Sequence, residues 1–242
     1  MEQNKLRPIL PGIRVLCVSN ELLVLSNKYK IYISDVQFDN IREVGSLEIG
    51  IVRKIISNSK ILRRLFRTGP TNAIVTRQQE VLISSDGSLF RIKLNKNQHK
   101  IVSEHRFRKE MRNCLSLCEI NGLPQFDDSL CYGEYFNNPE KKEVSIWSSK
   151  IGQTNWEKVY TFKEGMIEHI HALIPDHYRE VVWILTGDFD SSAGLWISKN
   201  NFATVEPVAI GKQEYRACVA FPLAEGLLYA TDSQFEATSI RI

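Results

Sequence analysis

Apolar positions in this chain come in short runs that alternate with polar residues and break at turn-forming clusters, a period-two pattern that predicts strands rather than helices. Five stretches repeat one form: IRVLCVSNELLVLSN, TNAIVTRQQEVLISSDG, CLSLCEI with DSLCYGEYF, IHALIP with VVWILTGD, and RACVAFPLAEGLLYATDS. Each reads as strand, polar turn, strand. A second hairpin follows in KIYISDVQFDNIREVGS, VSIWSSKIGQTNWEKVYTF and GLWISKNNFATVEPVAIG, and these align by spacing. A serine closes the first strand (Ser34, Ser149, Ser198), a bulky residue stands seven positions on (Ile41, Trp156, Val205), and a valine ten positions on (Val44, Val159, Val208). A looser fourth copy has strands at Leu89 to Ile92 and at Ile101 and Val102, joined by a turn over Asn95 to Gln98.

Two hairpins make a four-stranded unit, and such units begin near residues 13, 72, 113, 168 and 216. Repeats of roughly 40–50 residues, each of four short antiparallel strands, predict an all-β protein: a β-propeller of about five four-stranded blades, occupying residues 1–242 as one domain. The fifth unit ends at TSIRI, about where a third strand would finish. Either KLRPIL near the N-terminus supplies the missing outer strand, closing an exposed sheet edge, or the ring is incomplete. One segment departs from the strand pattern. Residues 50–66, GIVRKIISNSKILRRLF, carry apolar pairs at helical spacing with Arg53, Lys54, Lys60, Arg63 and Arg64 between them, and no acidic residue occurs between Glu48 and Glu80. A short basic amphipathic helix is expected there, either packed on the propeller with a solvated outer face or facing an anionic membrane surface or acidic partner.

Composition narrows the function classes. A net charge of +3 falls short of the strongly basic footprint of a nucleic-acid binder, so none is expected as a partner. The opening MEQNKLRPILPGIRV lacks a secretory pattern, and no apolar run approaches the ~18 residues of a membrane span, which points to a cytoplasmic chain. Cys17, Cys114, Cys118, Cys131 and Cys218 are odd in number and sit in apolar runs, so they read as small hydrophobes rather than disulfide partners or a metal site. Neither a G-x-S-x-G elbow nor a phosphate-cradling glycine loop is present, and no cofactor is implied.

The outer hairpins resemble the Asp-box (BNR) repeat of sialidase-like propellers, whose turn runs roughly Ser-x-Asp-x-Gly-x-Thr-Trp. The turn from Ser149 to Trp156 keeps the serine, a glycine and the tryptophan, with Ile151 in place of the aspartate. From about Arg64 to Asp232 the chain looks like uncharacterised bacterial and archaeal sialidase-like propellers, loosely labelled glycosyl hydrolases. The resemblance implies the fold; the box itself is a structural turn away from any active site. Sialidases clamp a substrate carboxylate with three arginines, whereas only Arg67 and Arg216 are placed for such a clamp here.

Polar clusters recur at matching places in consecutive units: Arg67 ahead of the second, Glu134 and Tyr135 after an apolar run of the third, His169 and His171 opening the fourth, Asp188 and Asp190 closing its second strand, Tyr215 and Arg216 opening the fifth, and Asp232 closing its second strand. In a propeller these strand ends converge on one mouth of the channel, where a concave polar pocket is expected. Arg67, Tyr135, His169, His171, Tyr215 and Arg216 are the candidate ligand-binding residues, and Glu134, Asp188, Asp190 and Asp232 the candidate acid/base carboxylates. His169 and His171 share one face of a strand, a spacing that serves either a metal ion or a hydrogen-bonded pair. The expected function is binding of a carbohydrate or other polar ligand, with a glycan-cleaving enzyme (hydrolase or metal-dependent lyase) and a protein-interaction platform as alternatives.

Overall fold

The computed structural model describes residues 12–19, 21–66, 68–94, 99–233 and 235–242, without the side chains of Lys60, Arg63 and Asp190. KLRPIL, Arg67 and the turn over Asn95 to Gln98 lie outside the described residues. The first sheet is β1 (Arg14–Val18), β2 (Leu23–Asn27), β3 (Lys30–Ser34) and β4 (Arg42–Ser46). Two short helices follow, α1 (Ile51–Asn58) and α2 (Lys60–Leu65). The second sheet is β5 (Pro70–Val75), β6 (Glu80–Ser85), β7 (Ser88–Lys93) and β8 (Lys100–Arg106). The third is β9 (Leu117–Ile120), β10 (Ser129–Gly133), β11 (Val144–Lys150) and β12 (Glu157–Phe162). The fourth is β13 (His169–Asp176), β14 (Val181–Gly187), β15 (Gly194–Ser198) and β16 (Glu206–Ile210). The fifth holds three strands among the described residues: β17 (Ala217–Pro222), β18 (Leu227–Thr231) and β19 (Ile240–Arg241).

Every sheet is an antiparallel meander with its strands in chain order. The first strands line up side by side, β1 against β5, β5 against β9, β9 against β13 and β13 against β17, while β17 makes no comparable contact with β1 among the described residues. No described helix is long and apolar enough to cross a membrane.

Alternation of side chains explains why the middle strands are apolar throughout. Val81 and Ile83 of β6 pack toward the first sheet, and Leu82 packs toward the third. In β14, Val182 and Ile184 join the core shared with the third sheet, and Val181, Trp183 and Leu185 the core shared with the fifth. A strand sandwiched between neighbours on both faces needs both of its alternating sets to be apolar. Each interior sheet is thus glued to two others.

The serine-marked turns fall between third and fourth strands. In the fourth sheet the Ser198 hydroxyl accepts a hydrogen bond from the Phe202 N–H at 3.1 Å, and Phe202 is buried against Phe126 of the third sheet. In the third sheet Trp156 is buried and its indole N–H donates to Glu104 of the second at 2.9 Å. Arg91, itself paired with Glu80 and Glu104, completes that junction. In these two turns an aromatic residue, Phe202 or Trp156, therefore reaches back to the preceding sheet.

Candidate functional site

Because successive strands run antiparallel, the start of each first strand and the end of each second strand share one edge of the assembly. His169 opens β13, Asp188 follows β14, Arg216 precedes β17 and Asp232 follows β18. These four meet. His169 Nε2 lies 3.3 Å from Asp188 Oδ2, and His171 Nε2 lies 3.3 Å from Asp188 Oδ1. Arg216 Nη2 is 2.8 Å from Asp188 Oδ1 and 3.7 Å from Asp232 Oδ2. Tyr135, half-buried after β10, sets its ring against His169 with centroids 4.5 Å apart.

Local backbone features make the cluster possible. Pairing of β13 with β14 shifts register between Ile170 and Ala172, so His171 sits at a β-bulge, the irregularity that re-aims a side chain out of the pleat. A second shift between Ala217 and Ala220 places Cys218 in the corresponding bulge of β17. Gly187 supplies the space: a Cβ there would overlap the His171 ring. Both imidazoles are anchored from behind, His169 Nδ1 donating to the Phe136 carbonyl at 3.2 Å and His171 Nδ1 to the Ala217 carbonyl at 2.8 Å.

The electrostatics follow from these contacts. Burial alone would raise the Asp188 pKa, but the bonds from His169 and His171 and the charge of Arg216 hold its carboxyl well below the usual carboxylate range. His171 is the reverse case. Burial disfavours its charge, yet its bonds to Asp188, Cys218 and the Ala217 carbonyl raise its pKa to about 9. Arg216 is only 6% exposed, and its Nε and Nη1 have no hydrogen-bond partner among the described residues.

The other candidates lie elsewhere or lean on the site indirectly. Glu134 is buried and its carboxylate accepts from the Ser145 N–H at 2.9 Å, the Trp147 indole at 3.1 Å and Arg108 at 3.1 Å, so its side chain does not join the cluster. Tyr215 packs partly buried on the core between the fourth and fifth sheets. Asp190 begins a short 3-10 turn, with its side chain outside the described set, as is Arg67. Asp86 occupies the matching strand-end position of the second sheet, where it accepts from the Tyr29 hydroxyl at 2.8 Å and the Gly69 N–H at 2.9 Å.

Sequence reasoning missed three participants. Cys218 Sγ stands 3.4 Å from Asp232 Oδ2 and 3.6 Å from His171 Nδ1. Phe189 and Phe235, both exposed and each close in sequence to a site carboxylate, bring their rings to 5.8 Å. The available signal was their position, one residue after Asp188 and three after Asp232.

Several solved structures share the architecture. The extracellular domain of a hybrid two-component system protein from B. thetaiotaomicron aligns over 97% of this chain with a TM-score of 0.59 and 13% identity. An ancestral GH74 enzyme aligns over 93% with a TM-score of 0.58 and 12% identity, and a streptogramin B lyase over 95% with a TM-score of 0.56 and 8% identity. The fold is that of a β-propeller. Identities this low speak to the fold alone, and the chain spans 28% of the extracellular-domain chain's length, 28% of the GH74 enzyme's and 68% of the lyase's. No protein-family model matches the chain, and neither does any curated protein sequence.

Proposed function

We propose that this propeller binds an acidic carbohydrate at the mouth formed by its fourth and fifth blades. The observation that carries the reading is Arg216, a buried guanidinium with one nitrogen committed to Asp188 and with Nε and Nη1 unpartnered among the described residues. Buried donors without acceptors cost free energy, on the order of 1–3 kcal/mol each and more for charged groups. Nε and Nη1 lie on different edges of the guanidinium, so an incoming carboxylate would satisfy them with single oxygens, in charge-assisted bonds that favour an anion. Tyr135 against His169, and the Phe189–Phe235 pair close in sequence to Asp188 and Asp232, add flat apolar surface, the usual complement of a few fixed polar groups in a ligand pocket.

Binding fits the site better than glycan hydrolysis. A glycosidase needs one carboxyl group held protonated as general acid. Asp188 is locked in its ionised form by two histidines and an arginine, and the Glu134 carboxylate is fully engaged by Ser145, Trp147 and Arg108. On a glycan array the purified chain is expected to select carboxylate-bearing sugars, and Arg216→Ala to abolish the signal while leaving the fold intact by circular dichroism. A flat array, or neutral sugars bound equally by the variant, contradicts the reading.

A further inference from the structure

The histidines at the mouth are oriented as metal ligands. A main-chain carbonyl oxygen can only accept, so the bonds from His169 Nδ1 to Phe136 and from His171 Nδ1 to Ala217 place a hydrogen on each Nδ1. Nε2 is then the nitrogen of each ring left to ligate a metal, once it gives up the proton it places toward Asp188. These two nitrogens are 3.1 Å apart, and each faces an oxygen of Asp188 at 3.3 Å. A metal ion at this position would take the place of the protons through which the two Nε2 atoms bond to Asp188 and to each other. The spacing is meaningful, because the edge of a tetrahedron with metal bonds of about 2.0–2.1 Å is roughly 3.3 Å. A carbonyl behind each ring is the outer partner that metal-bound imidazoles recurrently have, since it fixes tautomer and ring orientation.

We propose that His169, His171 and Asp188 bind one divalent transition-metal ion of the zinc class, with its remaining coordination positions turned to the channel mouth. Two imidazoles and one carboxylate suit a borderline cation and leave room for water or a ligand oxygen. The Asp188 side chain is 21% exposed, so the site opens on the mouth side, while His169 and His171 close it from within. Arg216 occupies one lone pair of Asp188 Oδ1, and the carboxylate has others to give. Cys218 is 3.6 Å from the hydrogen-bearing Nδ1 of His171 and is assigned no ligand role. The inference concerns the site of the proposed function but does not require that the ligand be a carbohydrate.

The test uses the intact chain, stripped with chelator and titrated with Co²⁺ or Zn²⁺. Wild type is expected to take up one equivalent, to show the visible bands of low-symmetry Co²⁺, and to gain several degrees in Tm with Zn²⁺. His169→Ala is expected to bind at least tenfold more weakly. Because a buried histidine variant can fail to fold, Asp188→Asn serves as the second, with the same expected loss, and Cys218→Ser is expected to retain the metal. Substoichiometric metal in folded wild type, or unchanged affinity in folded Asp188→Asn, would overturn the proposal in favour of a proton shared among the three side chains. Metal uptake with a flat glycan array removes the carbohydrate reading alone, and sugar binding that survives chelation without metal uptake removes only the metal.

A separate observation concerns the insertion between β4 and β5. In α1 and α2 the side chains of Ile51, Val52, Ile55, Ile61 and Leu65 are between 63% and 77% exposed, whereas Ser57 is buried. The helices therefore turn their apolar stripe outward. Lys54 and Arg64 are exposed beside it, Arg53 is paired with Asp86 at 3.2 Å, and the stretch between Glu48 and Glu80 holds no acidic residue. We infer that this hairpin docks on an anionic lipid surface, inserting the apolar side chains while the cations meet headgroups. The chain is expected to cosediment with phosphatidylserine-containing vesicles, less so at high salt, and not with pure phosphatidylcholine. Absence of sedimentation, undiminished sedimentation of Ile55→Asp/Leu65→Asp, or a salt-resistant dimer that this variant dissolves would overturn it, the last by assigning the face to a second copy.

Discussion

At the scale of single residues, the site depends on small groups that let large ones meet. Gly187 touches no ligand, yet the His171 ring occupies the volume that any side chain at 187 would need. Gly187→Ala is expected to displace His171, cost about 1–3 kcal/mol by overpacking, and weaken ligand capture at the mouth. Chemical denaturation and the array together check this, and a variant of wild-type stability and binding would contradict it. Asp176 offers a pH-dependent counterpart at the other end of β13. Burial would raise its pKa, but bonds from the Trp183 indole, Arg179 and the Tyr178 N–H lower it below the ordinary carboxylate value. A carboxyl whose pKa is depressed by folding adds stability above its unfolded pKa and loses it as pH falls through the folded one. Asp176→Asn is therefore expected to lower Tm at neutral pH and to narrow its gap to wild type in acid. A gap independent of pH would show that the charge contributes nothing. His169, His171, Asp188, Arg216 and Asp232 were legible as recurring polar groups at strand ends; Cys218 was not, because a bulge brings it into the site and period-two reading has no bulges.

At the scale of elements, the serine-marked hairpins were readable because two offsets recur with the pitch of a strand–turn–strand unit. The structure adds the reason for the tryptophan in the third sheet's copy, which reaches the preceding blade. Trp156→Phe keeps the ring and deletes the indole bond to the buried Glu104, so a loss of about 1.5–3 kcal/mol is expected in urea unfolding, as for a hydrogen bond to a charged group. A change within error would mean that Arg91 alone satisfies Glu104. The helical insertion was legible as an amphipathic segment, but periodicity cannot state which stripe meets the protein. Here the apolar stripe faces outward, against the usual arrangement of a surface helix. Glu134 illustrates the opposite limit, since its position matches that of Asp188 while its side chain is taken up by Ser145, Trp147 and Arg108.

At the scale of the whole molecule, radial placement of the sheets turns residues far apart in the chain into neighbours. His169 and Arg216 belong to different blades and meet through Asp188, so the site exists because β13 lies beside β17. The same edge of the assembly carries the α1–α2 insertion, which runs from the end of β4 to the start of β5. A lipid-docked hairpin would therefore bring the channel mouth near the membrane surface. The sequence indicated five units and their boundaries, but not which strand ends touch, because that depends on packing between sheets. The most direct measurement of this convergence is an anomalous difference map, recorded at the zinc edge from crystals of the intact chain grown with zinc. The account predicts one strong peak within bonding distance of His169 Nε2, His171 Nε2 and the Asp188 carboxylate, with Arg216 on the far side of that carboxylate. A map with no peak there, or with these side chains pointing away from one another, would contradict it.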